Sequence, residues 1–126
     1  MSAKPFVLVV EDDPFYANIY RTKLAKENID AEVVMNGDAA LISARKRKPD
    51  LILSDLIMPE KDGFQTLQEL KGDPSLKDIK VIILSNLSQG EDMQRVKDLG
   101  AEEYLVKANT SLQTVIEKVK NHLGIA

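Results

Sequence analysis

Four short apolar runs in this chain each end in residues that can do chemistry. Phe6-Val7-Leu8-Val9-Val10 runs into Glu11-Asp12-Asp13, and Leu51-Ile52-Leu53-Ser54 runs into Asp55. Val81-Ile82-Ile83-Leu84 ends at Ser85, and Tyr104-Leu105-Val106 ends at Lys107. A charge at the end of a buried run is costly unless something meets it. If Asp12, Asp13, Asp55 and Lys107 share one place, they carry a formal charge of −2. Carboxylates that close repel and take up protons unless a cation neutralises them. The chain has no cysteine and a single histidine, so the ligands are hard oxygens. Mg²⁺ held by a few carboxylates and waters fits such a set. A carboxylate beside Mg²⁺, an ammonium and a hydroxyl suits phosphoryl transfer. The carboxylate attacks as nucleophile. The cations neutralise the equatorial phosphoryl oxygens, and the hydroxyl donates a hydrogen bond to one of them. The product would be an aspartyl phosphate at Asp55.

These residues are far apart in sequence, so the elements between them must bring them together. The run Phe6–Val10 is too short for a helix and rich in β-branched residues, which predicts a buried strand. Asp13 as N-cap and Pro14 at the first helical position start a helix, inward on Tyr16, Tyr20 and Leu24, with Asn28 as its stop. A second strand, Ala31 to Met35, precedes the turn Asn36-Gly37-Asp38 and a helix inward on Leu41 and Ala44. Its basic end, Arg45-Lys46-Arg47-Lys48, complements the helix dipole and reads as a solvated end rather than a nucleic-acid patch. Pro49 stops that helix before the third strand, Leu51 to Ser54. Gly63 permits the turn into a helix inward on Phe64, Leu67 and Leu70, which Gly72-Asp73-Pro74 ends.

The fourth strand, Val81 to Leu84, leads through a loop to a helix with Met93, Val96 and Leu99 inward and Gly100 as its cap. After the fifth strand, Tyr104 to Val106, Thr110 to Gln113 has the spacing of a capping box. The last helix carries the clearest amphipathic stripe: Leu112, Val115, Ile116, Val119 and Leu123. His122 is a favourable helix-end residue. Five alternations of strand and helix with short connections predict right-handed crossovers and a parallel sheet covered by helices on both faces. Ligands in such sheets bind at the carboxyl ends of the strands, which is where Asp12, Asp13, Asp55, Ser85 and Lys107 stand.

The chain's 126 residues suit one domain, with a core over about residues 6–123, and no output domain is expected to follow Leu123. At 44% hydrophobic and 29% charged residues it has the composition of a globular protein. The net charge of −3 gives no case for direct nucleic-acid binding. No apolar run approaches the ~20 residues of a membrane span, and the polar start does not open a signal peptide. Without cysteines there is no disulfide framework, so a reducing cytoplasm is the expected location.

In its ordered motifs the sequence resembles the response-regulator receiver domain, the CheY-like family of two-component signalling. The resemblance spans roughly Phe6 to Leu123. It rests on Val10-Glu11-Asp12-Asp13, on Asp55-Leu56-Ile57-Met58-Pro59 through Asp62-Gly63, on Leu84-Ser85 and on Gly100-Ala101-Glu102-Glu103-Tyr104-Leu105-Val106-Lys107. The resemblance implies a doubly wound α/β fold, its five parallel strands in the order 2-1-3-4-5. It also implies phosphoryl transfer to Asp55 from a histidine kinase or histidine phosphotransfer protein. By position, Asp12 and Asp13 resemble the acidic pair that binds Mg²⁺ together with Asp55, with the backbone carbonyl of Ile57 as a further ligand. Ser85 and Lys107 resemble the residues that sense the phosphoryl group. Tyr104 falls on the switch aromatic, which moves inward as the hydroxyl is drawn to the phosphate. The output surface would be the fourth helix, fifth strand and last helix, binding a downstream protein or a second copy. Such a chain accepts a phosphoryl group on itself and is not a turnover enzyme.

Two departures stand out. Ala108 occupies the place of a proline that receivers usually join through a cis bond. A trans bond and a shifted, weakly held Lys107 loop are expected, because a cis bond there costs about 2.5–4 kcal/mol. Asn86 stands where the family commonly has alanine. Ile57 and Leu87 are apolar at positions that tune hydrolysis of the aspartyl phosphate, which points to a long-lived phosphoryl state. The alternative is a phosphorylation-independent pseudo-receiver, an interaction module, which Ala108 and Asn86 keep open. A haloacid-dehalogenase phosphatase would want an aspartate where Ile57 stands, and a flavodoxin-like carrier would want a phosphate-cradling loop after the first strand.

Overall fold

The computed structural model describes residues 4–58, 62–86 and 90–125. Strand and helix alternate through β1 (Phe6–Val10), α1 (Pro14–Lys26), β2 (Asp30–Val34), α2 (Gly37–Lys46), β3 (Leu51–Ser54), α3 (Gly63–Gly72), β4 (Lys80–Ser85), α4 (Gly90–Asp98), β5 (Glu103–Val106) and α5 (Leu112–Leu123). All strand pairs are parallel, in the order β2-β1-β3-β4-β5. The expected doubly wound α/β sheet is therefore present, with the expected strand order.

Because side chains alternate across a strand, each strand feeds two cores. Leu8, Val10, Ile52, Val81 and Ile83 pack on one face with residues of α2, α3 and α4. Val7, Val9, Leu51, Leu53, Ile82 and Leu84 pack on the other with Tyr20 and Leu24 of α1 and Val115, Ile116 and Val119 of α5. Fully burying a side chain of this size stabilises the fold by about 1.5–3 kcal/mol. The helices differ in how firmly they are seated. In α4 Val96 is the buried residue, whereas α3 buries Phe64, Thr66, Leu67 and Leu70.

Local signals account for most boundaries. Asp13, Asn36 and Asp62 each accept a backbone N–H at the start of α1, α2 and α3. Asn28 follows α1 with a left-handed φ of 61°, a conformation asparagine tolerates. At the end of α2, the Arg47 guanidinium pairs with Asp30 at 2.9 Å and stacks on the Phe6 ring, so the basic cluster ties the fold together. Several boundaries differ from the sequence reading. The second strand begins at Asp30 and ends at Val34, leaving Met35 exposed, because its pairing with Phe6–Val10 runs out there. β4 gains Lys80 at its start and Ser85 at its end, and β5 gains Glu103. The last helix is capped by Ser111, which accepts from the Thr114 N–H, and not by Thr110. The Thr110 hydroxyl instead donates to the Val106 carbonyl at 2.8 Å, closing a 3-10 turn over Lys107–Asn109.

Gly63 has a different role from the turn expected of it. A Cβ there would lie 2.6 Å from the Leu56 Cα and would also strike the Asp55 carbonyl oxygen. Its N–H donates to the Leu56 carbonyl at 2.9 Å, so the start of α3 rests directly on the backbone that carries Asp55. Gly63→Ala is expected to destabilise the protein by roughly 1–3 kcal/mol, as overpacking against immovable backbone does. Thermal denaturation checks this, and a wild-type melt would refute the close approach.

The two helices of the second core are also joined at their ends, where Lys120 donates to the Glu27 carboxylate at 3.0 Å. That hydrogen bond, and then the lysine's charge, hold Glu27 below its ordinary carboxyl value of 4.5. A depressed carboxyl contributes stability above its unfolded value, and the contribution is lost as pH falls through the folded one. Glu27→Gln should therefore lower the urea midpoint at about pH 7 and converge on wild type at about pH 3. An equal deficit at both would show that the charge is not the cause.

Candidate functional site

The backbone ladders continue one residue past the strands. The Glu11 N–H donates to the Val34 carbonyl and the Asp55 N–H to the Val10 carbonyl, at 2.9 and 3.0 Å. This seats Glu11 and Asp55 next to one another at the carboxyl edge. Alternation then aims them. Val9 and Leu53 face the α1/α5 core, and Glu11 and Asp55 follow two residues later on the same side. Leu105 faces that core too, and Lys107 follows it.

The three side chains meet. The Lys107 Nζ donates to Glu11 Oε1 at 2.6 Å and to Asp55 Oδ2 at 2.9 Å. All three are buried: the side chains are 6% exposed for Lys107, 3% for Glu11 and 9% for Asp55. Asp55 Oδ1 accepts from the Leu56 N–H at 2.7 Å and from the Ile57 N–H at 3.2 Å. Asp55 is thus gripped from one side by backbone amides and from the other by an ammonium. Burial raises the Glu11 carboxyl above its ordinary value, and the hydrogen bond and charge of Lys107 oppose the rise. Burial would pull the Lys107 ammonium down, but its hydrogen bonds and charge interactions with Glu11 and Asp55 outweigh that and hold it above an ordinary lysine. Lys107 is therefore a fixed positive charge at neutral pH.

Carboxylate oxygens of Glu11, Asp12 and Asp55 lie within 4.8 Å of one another. The sequence reading expects Asp12, Asp13 and Asp55. Asp13 is exposed, and its carboxylate accepts the Phe15 N–H at 2.9 Å as the α1 cap. Glu11, which the sequence reading assigns no role, joins Asp12 and Asp55 in the gathered set. The signal that would have found it is the strand alternation linking Val9 to Glu11 and Leu53 to Asp55. Three carboxylates against one ammonium leave a formal charge of −2, made of hard oxygen donors. Such a set fits Mg²⁺.

Ser85 and Tyr104 lie together on the opposite alternation. Ser85 is fully buried at the end of β4, and Tyr104 packs against the α2–α4 core. The two share a side-chain hydrogen bond, which opposes the rise that burial and Asp92 impose on the Tyr104 phenol. The Tyr104 ring is thus packed toward the core side of the sheet. Ala108 follows Lys107 through a trans bond inside the 3-10 turn. The bond is trans as expected, and the Lys107 head is hydrogen-bonded to the Glu11 and Asp55 carboxylates. Asn86 is exposed and so does not plug the cleft, and Ile57 is 56% exposed beside Asp55. Pro59 and Leu87 lie outside the described residues.

Comparison with known proteins agrees with the geometry. The family model for the response regulator receiver domain matches residues 7–120. The polar-differentiation response regulator DivK of Brucella anthropi is 33% identical over 120 residues, which cover 95% of this chain and 97% of DivK. Among solved structures, the signal receiver domain of a signal transduction histidine kinase from Syntrophus aciditrophicus is 35% identical. It superposes with a TM-score of 0.87 over 95% of this chain and 90% of that one. The BeF3-activated N-terminal receiver domain of Klebsiella pneumoniae RstA is 28% identical, with a TM-score of 0.86 over 94% and 97% of the two chains. The described helices include none long and apolar enough to cross a membrane. A doubly wound sheet, an aspartate braced by amides and a lysine at its carboxyl edge, and a matching family model over nearly the whole chain place this protein in the response regulator receiver domain family, the CheY-like receivers of two-component signalling.

Proposed function

We propose that Asp55 accepts a phosphoryl group from a histidine kinase or histidine phosphotransfer protein. The observation that carries this reading is the Lys107 ammonium held 2.9 Å from a buried Asp55 carboxylate that backbone amides orient from its other side. A carboxylate oxygen of Asp55 attacks phosphorus and forms the new P–O bond. The bond from phosphorus to the donor's imidazole nitrogen breaks, and its electron pair stays with the imidazole. Lys107, released from Asp55 Oδ2, neutralises a phosphoryl oxygen, and Ser85 donates a hydrogen bond to another. Asp12, Asp55 and the backbone carbonyl of Ile57 would hold Mg²⁺, with Glu11 completing the acidic set. Bound there, the ion supplies further neutralisation of the transferring phosphoryl oxygens. The chain accepts the group and does not turn over a substrate.

The phosphoryl group brings roughly −1.5 to −2 charge at neutral pH. Drawing Ser85 toward it alters the partner that Tyr104 touches, and through Tyr104 the surface of α4, β5 and α5. That surface is the face offered to a downstream protein or a second copy. A complete flip from 1:99 to 99:1 takes about 5.5 kcal/mol, so partner binding is expected to share the work with phosphate. A second reading is a phosphorylation-independent interaction module, in which the side-chain hydrogen bond between Ser85 and Tyr104 is a fixed contact of the sheet edge.

Intact mass after incubation with Mg²⁺ and acetyl phosphate separates the two. A gain of one phosphoryl group in the wild type but not in Asp55→Asn establishes the acceptor. No gain in folded protein with several donors favours the interaction module. If the group is taken up, apolar Ile57 offers no polar side chain to orient the attacking water, so the aspartyl phosphate should persist well beyond seconds after donor removal. Ile57→Asn should shorten its lifetime, as a timed mass measurement would show; loss within seconds from wild type contradicts this.

A further inference from the structure

Lys107 has three ammonium N–H donors, and two are taken by Glu11 and Asp55. The third direction is covered by the face of an aromatic ring. The Lys107 Nζ lies 4.5 Å from the Tyr16 ring centroid. Tyr16 is itself fixed, stacked on Tyr20 at 6.1 Å and edge-on to Phe15 at 5.5 Å. Below them, between α1 and α5, a cleft of about 190 Å³ is lined by Tyr16, Ile19, Tyr20, Lys107, Leu112 and Val115, among others. Lys107 and the Tyr16 ring both line that cleft, so the ring flanks the ammonium at its edge. A ring face attracts an ammonium within about 6 Å without accepting a directed hydrogen bond.

We propose that Tyr16 is a positioning residue for the phosphorylation of Asp55, acting through Lys107. The inference rests on the reading of Asp55 as phosphoacceptor. When one carboxylate oxygen of Asp55 bonds to phosphorus, Lys107 exchanges that carboxylate for a phosphoryl oxygen. A directed hydrogen bond on its third side would resist this re-aiming. A π face holds the ammonium over a range of orientations, so Lys107 stays at the cleft while its other contacts change. The phenol hydroxyl takes no part, so phenylalanine should serve as well as tyrosine, whereas leucine or methionine fills the volume and removes the π face.

The test compares wild type, Tyr16→Phe, Tyr16→Leu and Tyr16→Met as full chains. Nuclear magnetic resonance of the Lys107 side-chain methylenes reads the ring directly, because protons over a ring face are displaced upfield. The displacement is expected in wild type and Tyr16→Phe and absent from the two ring-free variants. With Mg²⁺ and acetyl phosphate, the initial rate of mass gain should be similar for wild type and Tyr16→Phe and about three- to tenfold slower without the ring, at unchanged thermal midpoint. Ring-free variants that react at the wild-type rate overturn the proposal, as does a Tyr16→Phe rate as slow as theirs. Undisplaced Lys107 signals in wild type overturn it as well. A wild type that shows the displacement but gains no phosphoryl group leaves the ring contact intact and removes instead the reading of Asp55 as acceptor, and with it any role for the contact in phosphorylation.

Discussion

The carboxyl edge of the sheet depends on one buried ammonium. Glu11 and Asp55 are buried neighbours of like charge, an arrangement that pushes carboxyl groups toward protonation. Lys107 bridges them at 2.6 and 2.9 Å and supplies the opposite charge that both side chains face. The pairing is also what joins the edge strand β5 to the sheet centre at this level, since Glu11 follows β1 and Asp55 follows β3. Charge balance and strand order therefore constrain one another. The lysine reaches both carboxylates because, in the observed order, β5 is separated from β3 by β4 alone.

Alternation along the strands divides labour between the faces of the sheet. Glu11, Asp55, Lys107 and Tyr16 gather on the side of α1 and α5, where the charge is. Ser85 and Tyr104 belong to the side of α2, α3 and α4, where the phenol packs against the core. Ser85 stands at the strand end where the sides meet, next to β5 through its pairing with Val106. A hydroxyl in that position can answer to the cleft on one side and to an aromatic ring on the other.

The fold was legible because parallel strands buried on both faces are uninterrupted apolar runs, and because Asp13-Pro14, Asn36-Gly37 and Pro49 punctuate them chemically. The positions of Asp55 and Lys107 were legible for the same reason, as abrupt charges after such runs. Local sequence is ambiguous where two roles compete for one residue type. Asp13 has the chemistry of both a ligand and a cap, and its carboxylate accepts the Phe15 amide. Thr110 and Ser111 are both capping residues, and the Thr110 hydroxyl was engaged by the Val106 carbonyl. Residue type alone does not single out Glu11; the two-residue period that sets side-chain direction does. Gly63 reads as a turn residue in local sequence, on which a close backbone approach between distant positions leaves no mark.

The shallow seating of α4 gives the molecule uneven compliance. The centre of the sheet is buried throughout β1, β3 and most of β4, and close-packed interiors of that kind transmit strain with little give. Over that stiff plate α4 is fastened through Val96, with most of its surface in solvent. Elements with few buried contacts sit at the low end of the range of local opening energies. α4 is therefore a soft spring mounted on a stiff plate, and its rest position responds to whatever leans on it from outside.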